Sequence, residues 1–565
     1  MLYTFQTNPH TLVNDEVEDP AASMFRMRPI NRNVGSDSAF KTARDWLDEC
    51  GNHVDDSHQL CPLVKDIVFT PTRLLEICKV GREYSAHLRT TNGDSIRYAC
   101  LSYCWGGDQP VKTTKATIVS RHIGITFSTL PQTLQEAIIS SFKIGVSHIW
   151  IDCLCIVQDD KEDLAAELIK MPEIYKNAYV TISASSASNC REGFLSPRYP
   201  STEDLTLQYE CPDGQIGNIY MFEERIGNKD DPIRTRAWCL QERILSPRLL
   251  DFSSQQLQWK CNSLNRFDGG YASYTQNNLL GRVHTDDVKH AIMEIWSENV
   301  DQYAKCSLSF PADKLVAIGA MASHIGDALK MTYLAGLWRE VLPEQLLWHN
   351  RNEPAARLQE YRAPSWSWAS IDAPVVFRRY WMSYPDMGRF TIEILETSVQ
   401  LLSAEHLYGP VLSAKLVLEG RLVKALWYVN RRDCIAVDTR PLAVLPRFRK
   451  EIGRVANKFF GWNSQSNIDK SSTPENTEYE EVTIGMSVDA LESDWDFEDP
   501  DFAVEAHCLL VKSHSESGSA EGIILIRARS GQEDHYTRAG LFWFFKDGVL
   551  PDLFRLAKDR IITIL

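Results

Sequence analysis

Several features that would place a protein quickly are missing from this chain, and each absence removes a class. Nowhere do eighteen apolar residues run consecutively, so no membrane-spanning helix is expected. The first thirty residues carry Asp15, Glu16, Glu18 and Asp19 and no apolar run of the secretory type, which predicts a cytoplasmic, or nuclear, protein. There is no Cys-x-x-Cys pair, which removes the commonest redox motif and the commonest zinc-ribbon signature together. Neither a Gly-x-Gly-x-x-Gly dinucleotide loop nor a Gly-x-x-x-x-Gly-Lys phosphate loop is present. Ser102, although close to Gly106, lacks the Gly-x-Ser-x-Gly elbow of a hydrolase. Basic charge is also short: 60 Lys and Arg against 75 Asp and Glu leave −15, which disfavours a phosphate backbone and hence nucleic acid as partner.

What remains is a chain of 565 residues, too long for one ordinary core, so two or three domains are expected. A hydrophobic fraction of 44% with 24% charged residues fits a globular fold, and 15 Trp point to aromatic-rich packing. Of the 14 Cys, Cys100, Cys104, Cys153 and Cys155 lie in apolar strands and read as reduced core thiols. The most informative stretch is 97–107, where an apolar strand runs straight into Trp105 and Gly106-Gly107 without a polar loop. Ends of strands in α/β sheets are where ligands usually sit.

Along the chain, residues 1–41 read as a polar N-terminal segment, with a short helix over 42–49 and a strand over 73–80. Helical spacing at Leu134, Ala137, Ile138 and Phe142 precedes a compact strand at 148–152, a βαβ unit. A helix over 161–178 and a strand over 179–184 continue the parallel pattern. Two strands at 205–209 and 217–222 read as a decorating hairpin. A helix over 235–244, capped by Thr235, follows, then strands at 249–252 and 257–260. The expected domains are an α/β module over 42–270, a helical region over 271–362, and a β-rich C-terminal domain over 363–565 with a polar loop near 463–481.

Four blocks carry a resemblance: the 97–107 strand, Trp150-Ile-Asp-Cys-Leu-Cys-Ile-Val-Gln-Asp159, Met171-Pro-Glu-Ile-Tyr-Lys-Asn-Ala178 and Arg236-Ala-Trp-Cys-Leu-Gln-Glu-Arg243. In this order, over roughly 97–245, they resemble the fungal heterokaryon incompatibility (HET) domain. Further downstream, Asp313-Lys-Leu, 333–338 and 363–368 look like full-length proteins carrying that domain. The resemblance implies a role in fungal non-self recognition and programmed cell death. More distantly the domain is similar to the Toll/interleukin receptor (TIR) fold, which implies a flavodoxin-like, mostly parallel sheet and, in some members, cleavage of the glycosidic bond of NAD. In TIR enzymes an aromatic residue precedes the catalytic Glu by four positions on a helix, and Trp238 and Glu242 have that spacing. The resemblance thus implies NAD as substrate, Glu242 as the carboxylate that stabilises oxocarbenium charge, and Trp238 and Trp105 as pocket walls.

Each candidate has a structural reading beside the functional one. Glu242 is also placed to pair with Arg236 or Arg243. Trp105, Gly106 and Gly107 read equally as a nucleotide-facing loop or a buried turn. Asp152, at the end of a parallel strand, reads as a site carboxylate or as an acceptor for backbone amides, and Glu167 as a solvent-facing helix charge. Cys50, His53, His58 and Cys61 offer four N and S ligands competent for Zn²⁺, with a strained or absent site as the competing reading because the intervening loop is short. Trp366 and Trp368, alternating as in a strand, read as a recognition surface or, in preference, as packing at a domain junction. Two other functional classes stand beside the enzyme: a non-catalytic signalling adaptor working through protein partners or self-association, and a specialised-metabolism enzyme.

Overall fold

The computed structural model describes residues 19–25, 27–54, 56–63, 69–198, 205–221, 231–270, 272–274, 288–308, 310–351, 354–377, 388–404, 406–428, 434–438, 479–492, 495, 502–514, 519–544 and 549–565. The chain divides into two compact units, Met1–His284 and Thr285–Leu565.

In the first unit α1 (Asp37–Asn52) starts at Ser36, whose side chain accepts from the Ala39 amide, and stops where His53 turns left-handed at φ 49°. The helix is longer than the 42–49 expected, because the Ser36 cap and the buried Ala39 and Phe40 extend its apolar face by a turn. Strands β1 (Arg73–Val80) and β2 (Glu83–Thr90) form an antiparallel hairpin, and β3 (Ala99–Ser102) is buried along its whole length. Helices α2 (Ile118–Ile123) and α3 (Gln132–Lys143) lead to β4 (His148–Trp150). Asp152 does not end that strand as expected; it opens a single helical turn, α4 (Asp152–Cys155), where its Oδ1 accepts from the Cys153 amide at 2.6 Å. Asp160 caps α5 (Lys161–Lys176), which continues through Pro172 and feeds β5 (Val180–Ser183).

The hairpin β6 (Leu205–Glu210) and β7 (Ile216–Met221) forms its own two-stranded ribbon, as the sequence predicts. Helix α6 (Ala237–Leu245) follows a 3₁₀ turn at Pro232–Thr235. Thr235 does not cap it: its hydroxyl donates to the Pro232 carbonyl at 2.7 Å, inside the preceding turn. Strands β8 (Arg248–Phe252), β9 (Leu257–Cys261), β10 (Leu264–Phe267) and β11 (Ala272–Tyr274) complete a nine-stranded sheet in the order β11-β10-β9-β8-β5-β3-β4-β1-β2. Only β4, β3, β5 and β8 run parallel to their neighbours within that block, and both flanks are antiparallel. The sheet is therefore mixed rather than mostly parallel, since tight hairpins supply both edges. Within the parallel block the second strand in sequence lies on one side of the first and the third on the other, so strand order reverses beside β3.

Among the described residues the second unit contains the helices Val288–Ala304, Val316–Leu329 and Val549–Leu556, and a ten-stranded sheet built around the long strand Val411–Tyr428. The helical pattern expected through 337–347 breaks up. Gly336 turns at φ 98°, Leu337–Trp338 pairs as a strand, and Pro343 sits in the one-turn helix Leu342–Gln345. The β-rich expectation holds at Glu393–Leu401, Ala503–Ser513, Ala520–Arg527 and His535–Phe544. Of the expected polar loop, 463–478 lies outside the described residues, and a strand, Tyr479–Thr483, begins after it. Trp366 and Trp368 are fully buried in this unit, not in a strand but in a turn entering the 3₁₀ segment Trp368–Ser370. The Trp368 Nε1 donates to the Gly336 carbonyl at 2.7 Å.

Candidate functional site

The carboxyl ends of the parallel strands gather a set of buried polar groups. At the end of β3, the Ser102 hydroxyl donates to Glu242 Oε2 at 2.5 Å, across 140 positions of sequence. Glu242 lies on α6, which packs against β3 and α5, and only 7% of the residue is exposed. Burial pushes its carboxyl up to about 7; the Ser102 hydrogen bond and the Arg236 charge pull the other way, and the charge of Asp152 adds to the rise. It is not a surface partner of Arg236 or Arg243, because the helix turns it toward the sheet.

Just past β4, Asp152 is held by three donors: Trp105 Nε1 at 2.7 Å, the Tyr103 hydroxyl at 3.1 Å and the Cys153 amide at 2.6 Å. Burial raises its carboxyl too, against these hydrogen bonds. Arg236, half-buried at the start of α6, donates through Nη1 to the Tyr103 carbonyl at 3.2 Å and lies within electrostatic range of both acids. Ser102, Trp105, Asp152, Arg236 and Glu242 thus come together around β3, where the strand order reverses, the position at which open α/β sheets form their binding crevice. Trp238 is half-buried one turn before Glu242 on the same helix.

The two glycines separate by cause. A Cβ on Gly106, at φ 71°, would sit 2.0 Å from the Asn189 Cβ, so close packing of two chain segments demands glycine there. Gly107, at φ 120°, faces open space and is required by backbone conformation alone. Glu167 is 2% exposed rather than solvent-facing, and accepts from the Thr72 hydroxyl at 2.7 Å and Lys170 Nζ at 2.9 Å.

Sequence reasoning missed a second group at the same edge. Ser185 donates to Asp251 at the end of β8, Asp231 accepts from the Ser254 amide at 3.0 Å, and Arg198 pairs with Asp268 at 3.5 Å. Burial carries Asp268 up to about 7 despite Arg198. These acids lie in a region that reads as strand and turn polar residues, and no spacing ties them together. Of the expected ligand set, Cys50, His58 and Cys61 converge, but His53 does not join them. Its Nε2 lies 2.8 Å from the Cys61 carbonyl, and Cys261 takes the fourth corner.

Residues 98–242 match the model of the family described as Heterokaryon incompatibility protein (HET). The chain carries a HET domain. Comparison with curated proteins and with solved structures gives no match. The HET domain opens at the residue before β3 and closes on Glu242 itself, so its two ends supply the Ser102–Glu242 contact. Chemically, a carboxyl group poised near neutrality exchanges a proton at working pH, and an anchored second acid with a fixed guanidinium sets the local field. Among the described residues no helix is long and apolar enough to cross a membrane.

Proposed function

We propose that this protein acts in fungal non-self recognition leading to cell death, and that its HET domain does so by hydrolysing the glycosidic bond of NAD. The observation that carries the reading is the buried Glu242 carboxyl, held by Ser102 beside Asp152 at the point where strand order reverses. In the reaction the C1′–N bond breaks, nicotinamide leaves with the bonding pair, and water adds to C1′. Glu242 in its ionised form balances the oxocarbenium charge and then takes the proton of the water. Trp105, fixed through its Nε1 on Asp152, offers a ring face to a base or to nicotinamide. Incubating the purified chain with NAD is expected to release nicotinamide, and Glu242→Gln to reduce the rate at least about a hundredfold. Equal release by wild type and Glu242→Gln removes the assignment.

One observation favours an adaptor instead. The β6–β7 ribbon exposes Leu205, Leu207 and Met221 on one face, an apolar set of the kind that protein partners cover. Absence of nicotinamide release under conditions where the chain self-associates decides for that reading.

A further inference from the structure

The HET match leaves unused four side chains brought together from three separate segments: Cys50 on α1, His58 and Cys61 on the turn that follows, and Cys261 at the end of β9. Their ligand atoms all lie within 4.8 Å of one another, and all four residues are buried. A tetrahedral Zn²⁺ with Zn–S of about 2.3 Å and Zn–N of about 2.0–2.1 Å separates its S and N ligands by about 3.6 Å and its sulfurs by about 3.8 Å. His58 Nδ1 lies 3.5 Å from Cys261 Sγ and 3.8 Å from Cys61 Sγ, so two edges of that tetrahedron are already present. The imidazole is 1% exposed, and among the described residues its hydrogen-bonding neighbours are those sulfurs alone.

We propose that Cys50, His58, Cys61 and Cys261 form a closed, structural Zn²⁺ site. Its surroundings suit a metal thiolate centre. Three thiolates, one neutral imidazole and Zn²⁺ carry a net charge of −1, which burial penalises unless a cation lies beside it. Arg248 supplies that cation: it is fully buried, its Nε is 3.3 Å from Cys50 Sγ, and its remaining donors face the Pro62 and Tyr179 carbonyls. The Leu264 amide points at Cys261 Sγ at 3.4 Å and the Ser263 hydroxyl lies 3.4 Å from Cys61 Sγ, outer contacts that stabilise thiolate. With four protein ligands and no open position, the ion holds structure and activates no water. It fastens the N-terminal helix to the β9–β10 hairpin.

Metal analysis of the purified full chain is expected to find about one Zn²⁺ per molecule. Exchange for Co²⁺ is expected to give the intense visible bands of a tetrahedral site together with thiolate-to-metal charge transfer. Under competition with a chelator, Cys261→Ser is expected to lose Zn²⁺ at least tenfold more readily than wild type, whereas His53→Ala retains it. A chain that takes up neither metal overturns the proposal, as does Cys261→Ser with wild-type retention or His53→Ala with an equal loss. Should Cys261→Ser fail to fold, the Co²⁺ spectrum of the wild-type chain decides, and an octahedral spectrum without thiolate bands refutes the site.

Discussion

Replacing Glu242 with Gln separates a reactive carboxyl group from a structural one, because the two roles predict opposite changes in stability. The folded chain holds the Glu242 carboxyl at about 7, above the ordinary value of 4.5. Between those values the folded state binds more protons than the unfolded one, so the contribution present below pH 4.5 is lost as pH rises through 7. At about 1.4 kcal/mol per pH unit, the ionised side chain destabilises the unit by roughly 3 kcal/mol at pH 8 and by under about 1 kcal/mol at pH 5. Gln carries no such penalty and its amide oxygen still accepts from Ser102. Glu242→Gln is therefore expected to be more stable than wild type at pH 8, by roughly 5–10 °C in the melting of the first unit, with the gap closing toward pH 5. Parallel melts of both full-length chains across that range make the measurement, and shared titrations such as that of Asp268 cancel in the difference. A variant less stable than wild type at pH 8, or a gap that ignores pH, would show that Glu242 is a charged partner of Arg236 and would refute the reasoning.

Two further outcomes follow from the packing. Gly106→Ala is expected to destabilise the first unit by about 2 kcal/mol or more, through the clash with Asn189 and the positive φ, as read by urea unfolding; Gly107→Ala, with open space around it, is expected to cost less. Arg538→Leu is expected to destabilise the second unit by about 3–5 kcal/mol, because Asp489 would be left buried without its 2.6 Å partner, and chemical denaturation followed by Trp fluorescence reads this.

The sequence made the strands legible wherever apolar runs were bounded by turns, as at β1, β5, β8 and the β6–β7 hairpin. Helix ends were harder. Ser36 extended α1 and Arg236 displaced Thr235 at the start of α6, because capping depends on where the chain enters a helix rather than on residue type alone. Glu242, Asp152 and Trp105 could be picked from their blocks, but Ser102 was weighed only as a hydrolase nucleophile, and nothing in its strand signalled a carboxylate partner on α6. The fourth Cys could not be found by spacing. Cys261 reaches Cys50 because α1 packs against β9, and a local ligand pattern therefore preferred His53, whose left-handed backbone ends α1 and turns its ring onto the Cys61 carbonyl.

The register of the sheet assigns the two polar clusters to opposite ends of the parallel strands. Arg248, the first residue of β8, pairs with Cys261, so the Cys/His cluster sits at the amino ends, while Ser102, Asp152 and Asp251 lie at or just beyond the carboxyl ends. A closed metal site at the amino ends braces the fold without touching the groups placed for chemistry, and the carboxyl edge is left to carry acids whose burial opposes stability. The consequence is a decoupling of the two experiments. Removing metal is expected to lower the melting of the first unit while leaving the pH dependence of the difference between wild type and Glu242→Gln in place. If metal removal instead abolished that pH dependence, the two ends would be coupled through β8, and the assignment of one end to structure and the other to reaction would fail.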